Sequence, residues 1–288
     1  MYRFSESRVK ALFRKVLYSI VVIFFGLSNA ISQQTLSPSV LLTTDIKQNQ
    51  PADDIIQLLA GTEEISIKTQ QASVPLTRGV AIIVSESTYG LFGDSGVSSI
   101  AVSLNQWGWL TLILPAPMLS FSNDNNLSPE QVLNARSSLA AFNQEGLTRY
   151  SLALSQRIEA ALNAVQSTPG YRLVISHGIS SAGMIRLYSQ GSLVEPDGLV
   201  VAGPFWPESN LNGQLPIQLA KTAFPVLDIT NEWDNRWSQK TQTLRLTEAI
   251  TELKMHYRQR EIVGTEYNQV QYDYLAKEIY GWLSYLGW

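Results

Sequence analysis

The stretch RLVISHGISSAGMIRL, residues 172–187, decides how the rest of the chain is read. Its first five residues form a short apolar run of the kind expected for a strand buried on both faces. Small residues then crowd the chain from Gly178 to Gly183, and MIRL follows with helical character. Strand, tight turn and helix in succession form the building unit of a parallel α/β sheet. Working outward, similar runs recur as VAIIVS from Val80, WLTLILP from Trp109, GLVVAGP from Gly198 and FPVLDIT from Phe224, with REIVG from Arg260 as a weaker sixth. Near-continuous apolar runs are what parallel strands, covered on both faces, look like. Between them, helices are expected over Leu147–Gln166, with Leu152, Leu154, Ile158, Ala161, Leu162 and Val165 on an apolar face, and over Ser238–Lys254. A Tyr- and Trp-rich helix is expected over Tyr272–Leu286, packed on the sheet. The alternation implies right-handed crossovers and one α/β domain built on a doubly wound, mostly parallel sheet.

The flanks are read by the same rules. Asp53 and Asp54 after Pro51, then Ile55, Ile56, Leu58 and Leu59, predict a short helix ended by Gly61. Residues 64–72, EISIKTQQA, alternate as a half-buried edge strand would. Residues 119–146 are polar and form a candidate lid or surface insertion, with a disordered loop as the equal alternative.

At 288 residues the chain suits one large domain. Residues 1–30 read as a secretory signal peptide, with basic Arg8, Lys10, Arg14 and Lys15, the apolar run VLYSIVVIFFGL, and small residues ending at Ala30. A periplasmic address is expected, with an N-terminal membrane anchor as the alternative, because Val16–Leu27 is near the lower limit for spanning a bilayer. Residues 31–51 are expected to be a flexible segment and 52–288 the domain. Without the five Lys/Arg and one Glu of the leader, 16 basic residues face 23 acidic ones, a net charge of −7. An acidic domain with no basic cluster gives no electrostatic reason to bind nucleic acid. The chain has no cysteine and two histidines, so disulfides, thiolate nucleophiles and zinc fingers are excluded and a transition-metal site is not expected. No glycine-rich phosphate-binding string occurs, so no cofactor is expected. The pairs Asp53–Asp54 and Glu63–Glu64 read as solvated turn residues.

Ligands of open α/β sheets sit beyond the carboxyl ends of the strands, which directs attention to residues 85–88, 115–118, 176–181, 204–207, 231–234 and 265–268. His177, Trp206, Trp233 and Trp237 are candidates to line a cleft there, with core packing as the other reading for the tryptophans.

In residues 172–187 the chain resembles the nucleophile elbow, G-x-S-x-G, of the α/β-hydrolase superfamily. With the strand ending at Ile175, Ser176, His177, Gly178, Ile179 and Ser180 take its five positions, and Gly178 stands where the serine should be. A two-residue shift reads Gly178–Ala182 as G-x-S-x-A, carries the strand through His177 and makes Ser180 the nucleophile. FPVLDITNEWDNRW is similar to the strand that delivers the catalytic acid, which would be Asp234, a residue that also reads as a helix or turn cap. YRQREIVGTEYNQ is similar to the last strand, and Tyr267 stands near the histidine position. Tyrosine, with an ordinary pKa of about 10, is a poor base near neutrality. His256 lies before that strand and His177 lies within the elbow, so the resemblance implies an incomplete triad in either register.

The leader, QWGWLTLILP from Gln106, PFW at Pro204 and EIYGWLSYLG from Glu278 resemble the exported proteins of Gram-negative bacteria grouped as domain of unknown function 3530. That resemblance implies a hydrolase-like fold with no assigned activity. The resulting expectation is a non-catalytic or weakly catalytic protein that binds a small apolar or acyl ligand, or an envelope protein. It would meet the membrane only through its leader. The alternative is a serine hydrolase of esters or acyl groups using Ser180 with Asp234.

Overall fold

Among the described residues eight strands form one sheet, and the apolar runs read from sequence make up its middle. In chain order they are β1 (Ile55–Ala60), β2 (Glu63–Gln70), β3 (Gly79–Ser85), β4 (Trp109–Pro115), β5 (Tyr171–His177), β6 (Gly198–Ala202), β7 (Val226–Asn231) and β8 (Tyr257–Ile262). The computed structural model describes residues 54–86, 94–118, 144–263 and 269–288, all within one compact unit. The spatial order is β1-β2-β4-β3-β5-β6-β7-β8, with β1 and β2 antiparallel to their neighbours and the rest parallel.

Alternate side chains of a strand point to opposite faces, and here the alternation sorts the core into two layers. On one face Val80, Ile82, Val84, Val174, Leu199 and Val201 meet residues of α2 (Gln144–Ala164), α3 (Gly178–Ser189) and α4 (Ser209–Ala220). On the other, Ala81, Ile83, Leu173, Ile175, Val200 and Leu227 meet α1 (Asp94–Gln106) and α6 (Gln269–Tyr285). The remaining helix, α5 (Arg236–Thr251), packs alongside α4. In α6, Tyr272, Leu275, Ile279, Trp282 and Leu283 are buried against the sheet, as their spacing predicts. Trp288 continues that layer by stacking on Tyr171, with ring centroids 4.3 Å apart.

Three readings of the sequence are corrected. Residues 55–60 form a strand, not a helix. Gly61, at a φ of +63°, is the first residue of a two-residue turn that closes Ala60 on Glu63, and β-branched Ile55 and Ile56 suit the resulting hairpin. Consequently β2 is not an edge strand, because β1 covers one side of it and β4 the other. The last strand starts at Tyr257, three residues before the apolar run, since one layer there is polar. Of residues 119–146, Gln144–Gly146 belong to the first turn of α2 and the remainder lies outside the described residues. The leader, the segment 31–51 and Tyr267 also lie outside them. Among the described residues no helix is long and apolar enough to cross a membrane.

One charge interrupts the buried strands. Asp228, in the middle of β7, is fully buried and receives Arg245 Nε at 2.8 Å and Nη2 at 3.2 Å, Tyr257 Oη at 2.8 Å and Gln259 Nε2 at 3.0 Å. Arg245 is itself fully buried and also donates to Thr241 Oγ1 at 2.7 Å. Breaking such a pair strands a charge in the core, whereas replacing both partners by apolar groups need not destabilise. Arg245→Ala is therefore expected to cost about 3–5 kcal/mol in urea unfolding. Asp228→Leu combined with Arg245→Met should recover most of that loss.

Candidate functional site

Strand β5 delivers the turn on which the hydrolase resemblance rests. It runs through His177, whose backbone is extended at φ −132° and ψ 154°, and α3 begins at the next residue. Gly178 carries the reversal at a φ of +56°, in the left-handed region that glycine adopts without a side-chain penalty. The strand is thus two residues longer than the register ending at Ile175 assumed, yet the left-handed junction is still at Gly178. Ser180 lies in the first turn of α3 and is fully buried.

The side chain facing this junction comes from the end of β3. Glu86 follows Ser85, and its Oε1 accepts hydrogen bonds from the Ser180 backbone N–H at 3.2 Å and from Ser180 Oγ at 3.0 Å. Its Oε2 lies 3.3 Å from His177 Nδ1. A Cβ built on Gly178 would meet the two Glu86 oxygens at 3.2 and 3.4 Å and the Phe205 ring at 3.4 Å. The space a side chain at the junction would enter is therefore lined by this carboxylate. A helix N-terminus favours negative charge because its first N–H groups are unpaired and its dipole points positive there. Glu86 meets that demand from a different strand.

Burial alone would raise the Glu86 carboxyl. The hydrogen bond and charge of His177, with the two donors of Ser180, outweigh burial and hold it below the usual glutamate range. Behind Ser180, Tyr150 Oη donates to its Oγ at 3.3 Å, and burial pushes this phenol well above the ordinary tyrosine value. The Ser180 hydroxyl is thus enclosed between a phenol and an ionised carboxylate. A carboxylate held this low is a weak base for a serine proton.

Asp234 lies past the end of β7, where the resemblance placed an acid. Its Oδ2 accepts from the Asn231 N–H at 3.1 Å, and both oxygens would stand 2.9 Å from a Cβ on Gly203, just after β6. Burial raises its carboxyl above the usual aspartate range, an effect partly offset by the Asn231 N–H and by the charges of His177 and Arg245. The N-cap of α5 is Asn235, whose Oδ1 accepts from the Trp237 and Ser238 N–H groups, so the helix cap falls one residue later while Asp234 closes the turn back onto Asn231. His177 lies within electrostatic reach of Asp234 as well as beside Glu86.

The aromatic candidates separate. Trp206 is fully buried and meets Tyr150 edge-on at 6.1 Å, so it belongs to the core and does not line a cleft. Trp233 is 62 % exposed in the turn after β7. Trp237 is half-buried with Lys240 Nζ 4.9 Å from its ring centre. His256 directly precedes β8, at the amino end of that strand and so at the opposite edge of the sheet. Glu86 falls in the strand-end segment 85–88 that the sequence marks, but nothing in the spacing singles it out or ties it to His177. Among the described residues no group of three His, Cys, Asp or Glu side chains could hold a metal ion.

The family model described as protein of unknown function (DUF3530) matches residues 30–285. The chain belongs to this family. No curated protein sequence matches it. This DUF3530 chain is similar in structure to an esterase domain from Rhodothermus marinus, with a TM-score of 0.54, 12 % identity, and 79 % of this chain and 96 % of that one covered. It is also similar to an α/β serine hydrolase homologue from Coxiella burnetii (TM-score 0.51, 10 % identity, 79 % and 96 % covered). A third likeness is to a lidless α/β serine hydrolase from Xanthomonas campestris (TM-score 0.52, 11 % identity, 81 % and 94 % covered). At such identities the likeness establishes the α/β-hydrolase-like fold and nothing finer.

The two carboxyls carry opposite signs in stability. Glu86 is held low, so its stabilising contribution is present above the unfolded value and lost as pH falls through the folded one. Glu86→Gln is expected to cost about 1.5–3 kcal/mol near neutrality, with the urea-unfolding curves of variant and wild type converging in acid. Asp234 is raised, so its charge destabilises above the folded value and that penalty disappears toward the unfolded one. Asp234→Asn should be at least as stable as wild type near neutrality and lose any advantage as the medium is acidified.

Proposed function

We propose that this DUF3530 protein is exported to the periplasm or envelope and acts there as a non-catalytic or weakly catalytic binder. Its ligand is a small apolar or acyl molecule, or an envelope protein, taken up at the carboxyl ends of the strands. The observation that carries the reading is the left-handed glycine at the strand-to-helix junction, with the Glu86 carboxylate against the space a nucleophile would occupy. Acyl transfer needs a nucleophile beside a base and N–H donors free for the developing oxyanion. Here the junction residue has no side chain, and the Glu86 carboxylate stands at the start of α3, where its charge would oppose a developing oxyanion. Only two histidines exist in the chain, and neither follows the last strand.

The serine hydrolase reading draws on Asp234 in the acid position and on Ser180. Against it, the Ser180 hydroxyl is fully buried and already donates to Glu86. The full-length protein, expressed and exported, should show neither stoichiometric labelling by a fluorophosphonate probe nor turnover of activated short and medium acyl esters that Ser180→Ala or Asp234→Ala abolishes. Stoichiometric labelling lost in Ser180→Ala would overturn the non-catalytic reading. Export is supported by the leader-like residues 1–30, and protein recovered from the periplasmic fraction should begin at Ile31.

A further inference from the structure

Among the described residues two strands of the sheet are paired on one side only, β1 at one edge and β8 at the other. Such a strand presents a row of unpaired backbone N–H and C=O groups to any extended chain that reaches it. Proteins ordinarily guard these edges with charged side chains, proline or bulges.

The β8 edge is guarded. It carries Arg258, Arg260 and Glu261, and Arg260 Nε lies 3.3 Å from Glu278 Oε2 of α6. When two copies of a strand pair antiparallel about a two-fold axis, residues equally far from the axis stand opposite one another. Whichever of residues 258–261 sat on the axis of a β8 pair, like charges would meet. Arginine would face arginine in the first three placements and Glu261 would face itself in the fourth. Like charges directly opposite destabilise a ladder.

The β1 edge has none of these guards. Its sequence, IIQLLA, contains no charge and no proline, and it pairs with β2 without a bulge from Ile55 opposite Lys68 to Ala60 opposite Glu63. Ile56 and Leu58 pack against the core layer that includes α2, whereas no residue of β1 or β2 belongs to the layer of α1 and α6. On that second side Leu59 is 69 % exposed.

The strand is also symmetric in character. Around Gln57 it reads Ile-Ile-Gln-Leu-Leu, a palindrome of apolar residues about one amide. With Gln57 on a two-fold axis, Ile55 faces the partner's Leu59, Ile56 faces the partner's Leu58 and the two glutamines face each other. The nearest charge, Asp54, falls opposite the partner's Ala60, so no like charges meet. The exposed Leu59 gains an apolar neighbour whose Cβ is about 4.5–5.5 Å away. Gln57 Oε1 accepts from Ser66 Oγ at 2.9 Å, and its Nε2 is left to donate across the axis. An unrelated strand would fit this edge without requiring that symmetry, so the palindrome points to a second copy of the same chain.

We infer that two copies of this protein associate through their β1 edges, antiparallel about a two-fold axis at Gln57, into one continuous sheet. The surface stands apart from the strand-end cleft and does not depend on what binds there. A ladder of six residues is about 20 Å long, which falls short of the extensive burial of obligate dimers, so the association is reversible.

Because the chain has no cysteine, a single introduced thiol reports its own neighbour. In the full-length protein, expressed and exported, Gln57→Cys should give a disulfide-linked dimer under mild oxidation. Residues directly opposite in an antiparallel ladder have Cα atoms about 4.5–5.5 Å apart, within disulfide range. Leu59→Cys, although exposed, should not link to itself, since the two copies of residue 59 are about 13 Å apart along the strands. Mixed with Ile55→Cys it should form the mixed dimer. In sedimentation equilibrium the wild type should show a concentration-dependent monomer–dimer equilibrium. Gln57→Lys and Gln57→Glu, with unchanged circular dichroism spectra, should each be monomeric where wild type is dimeric, and mixing the two should restore the dimer. A monomer at every concentration overturns the inference, whether water or residues 31–53 of the same chain take the edge. Equal self-linking at positions 57 and 59 overturns it too, as does a dimer that persists in both charged variants and so forms elsewhere.

Discussion

A parallel strand covered on both faces has room for charge only at its ends. In β3, β5, β6 and β7 nearly every side chain is sealed off from water, half in each layer of the core. Polar chemistry is thereby driven to the carboxyl ends, where Glu86, His177 and Asp234 are found, or to the amino ends, where Arg172 and Lys254 satisfy carbonyl groups. The mid-strand exception supports the rule. Asp228 is tolerated because Arg245, Tyr257 and Gln259 together satisfy it, and this network joins β7, β8 and α5 behind the candidate site.

The same constraint accounts for the character of that site. Helix α3 starts where a buried strand ends, so its unpaired N–H groups stand at the carboxyl end of β5. Here the Ser180 N–H donates to a resident carboxylate, which also holds His177. The start of α3 thus already has a negative charge beside it.

Much of this architecture was legible because burial on both faces leaves a plain mark in the chain. The runs at Val80, Trp109, Arg172, Gly198 and Phe224 all became parallel strands of the core. Reading failed where local pattern was mute about partners. The segment IIQLLA is apolar without clear periodicity, and only its pairing with β2 makes it a strand. Trp206 follows a strand end as a cleft residue would, but the chain turns inward there and Asn212 Oδ1 accepts the Trp206 N–H. The extension of β5 through His177 puts an imidazole at the end of a buried strand, where a glutamate 91 residues away partners it. Pairings at that separation follow from topology and leave no trace in spacing. The longer β5 and the glycine junction are likewise compatible because the extended backbone of His177 adds length without moving the reversal away from Gly178.

The contact between Gly178 and Glu86 also bears on how this lineage can change. A serine introduced at 178 alone would press its side chain against a carboxylate, in a backbone conformation unfavourable to any residue with a Cβ. Removing Glu86 alone would leave the start of α3 and the His177 ring without their partner. Each single step is a loss, and only the pair leads toward an active elbow, which would still need a histidine beyond β8. Selection acting one substitution at a time meets a valley here, so Gly178 and Glu86 are expected to change together or not at all.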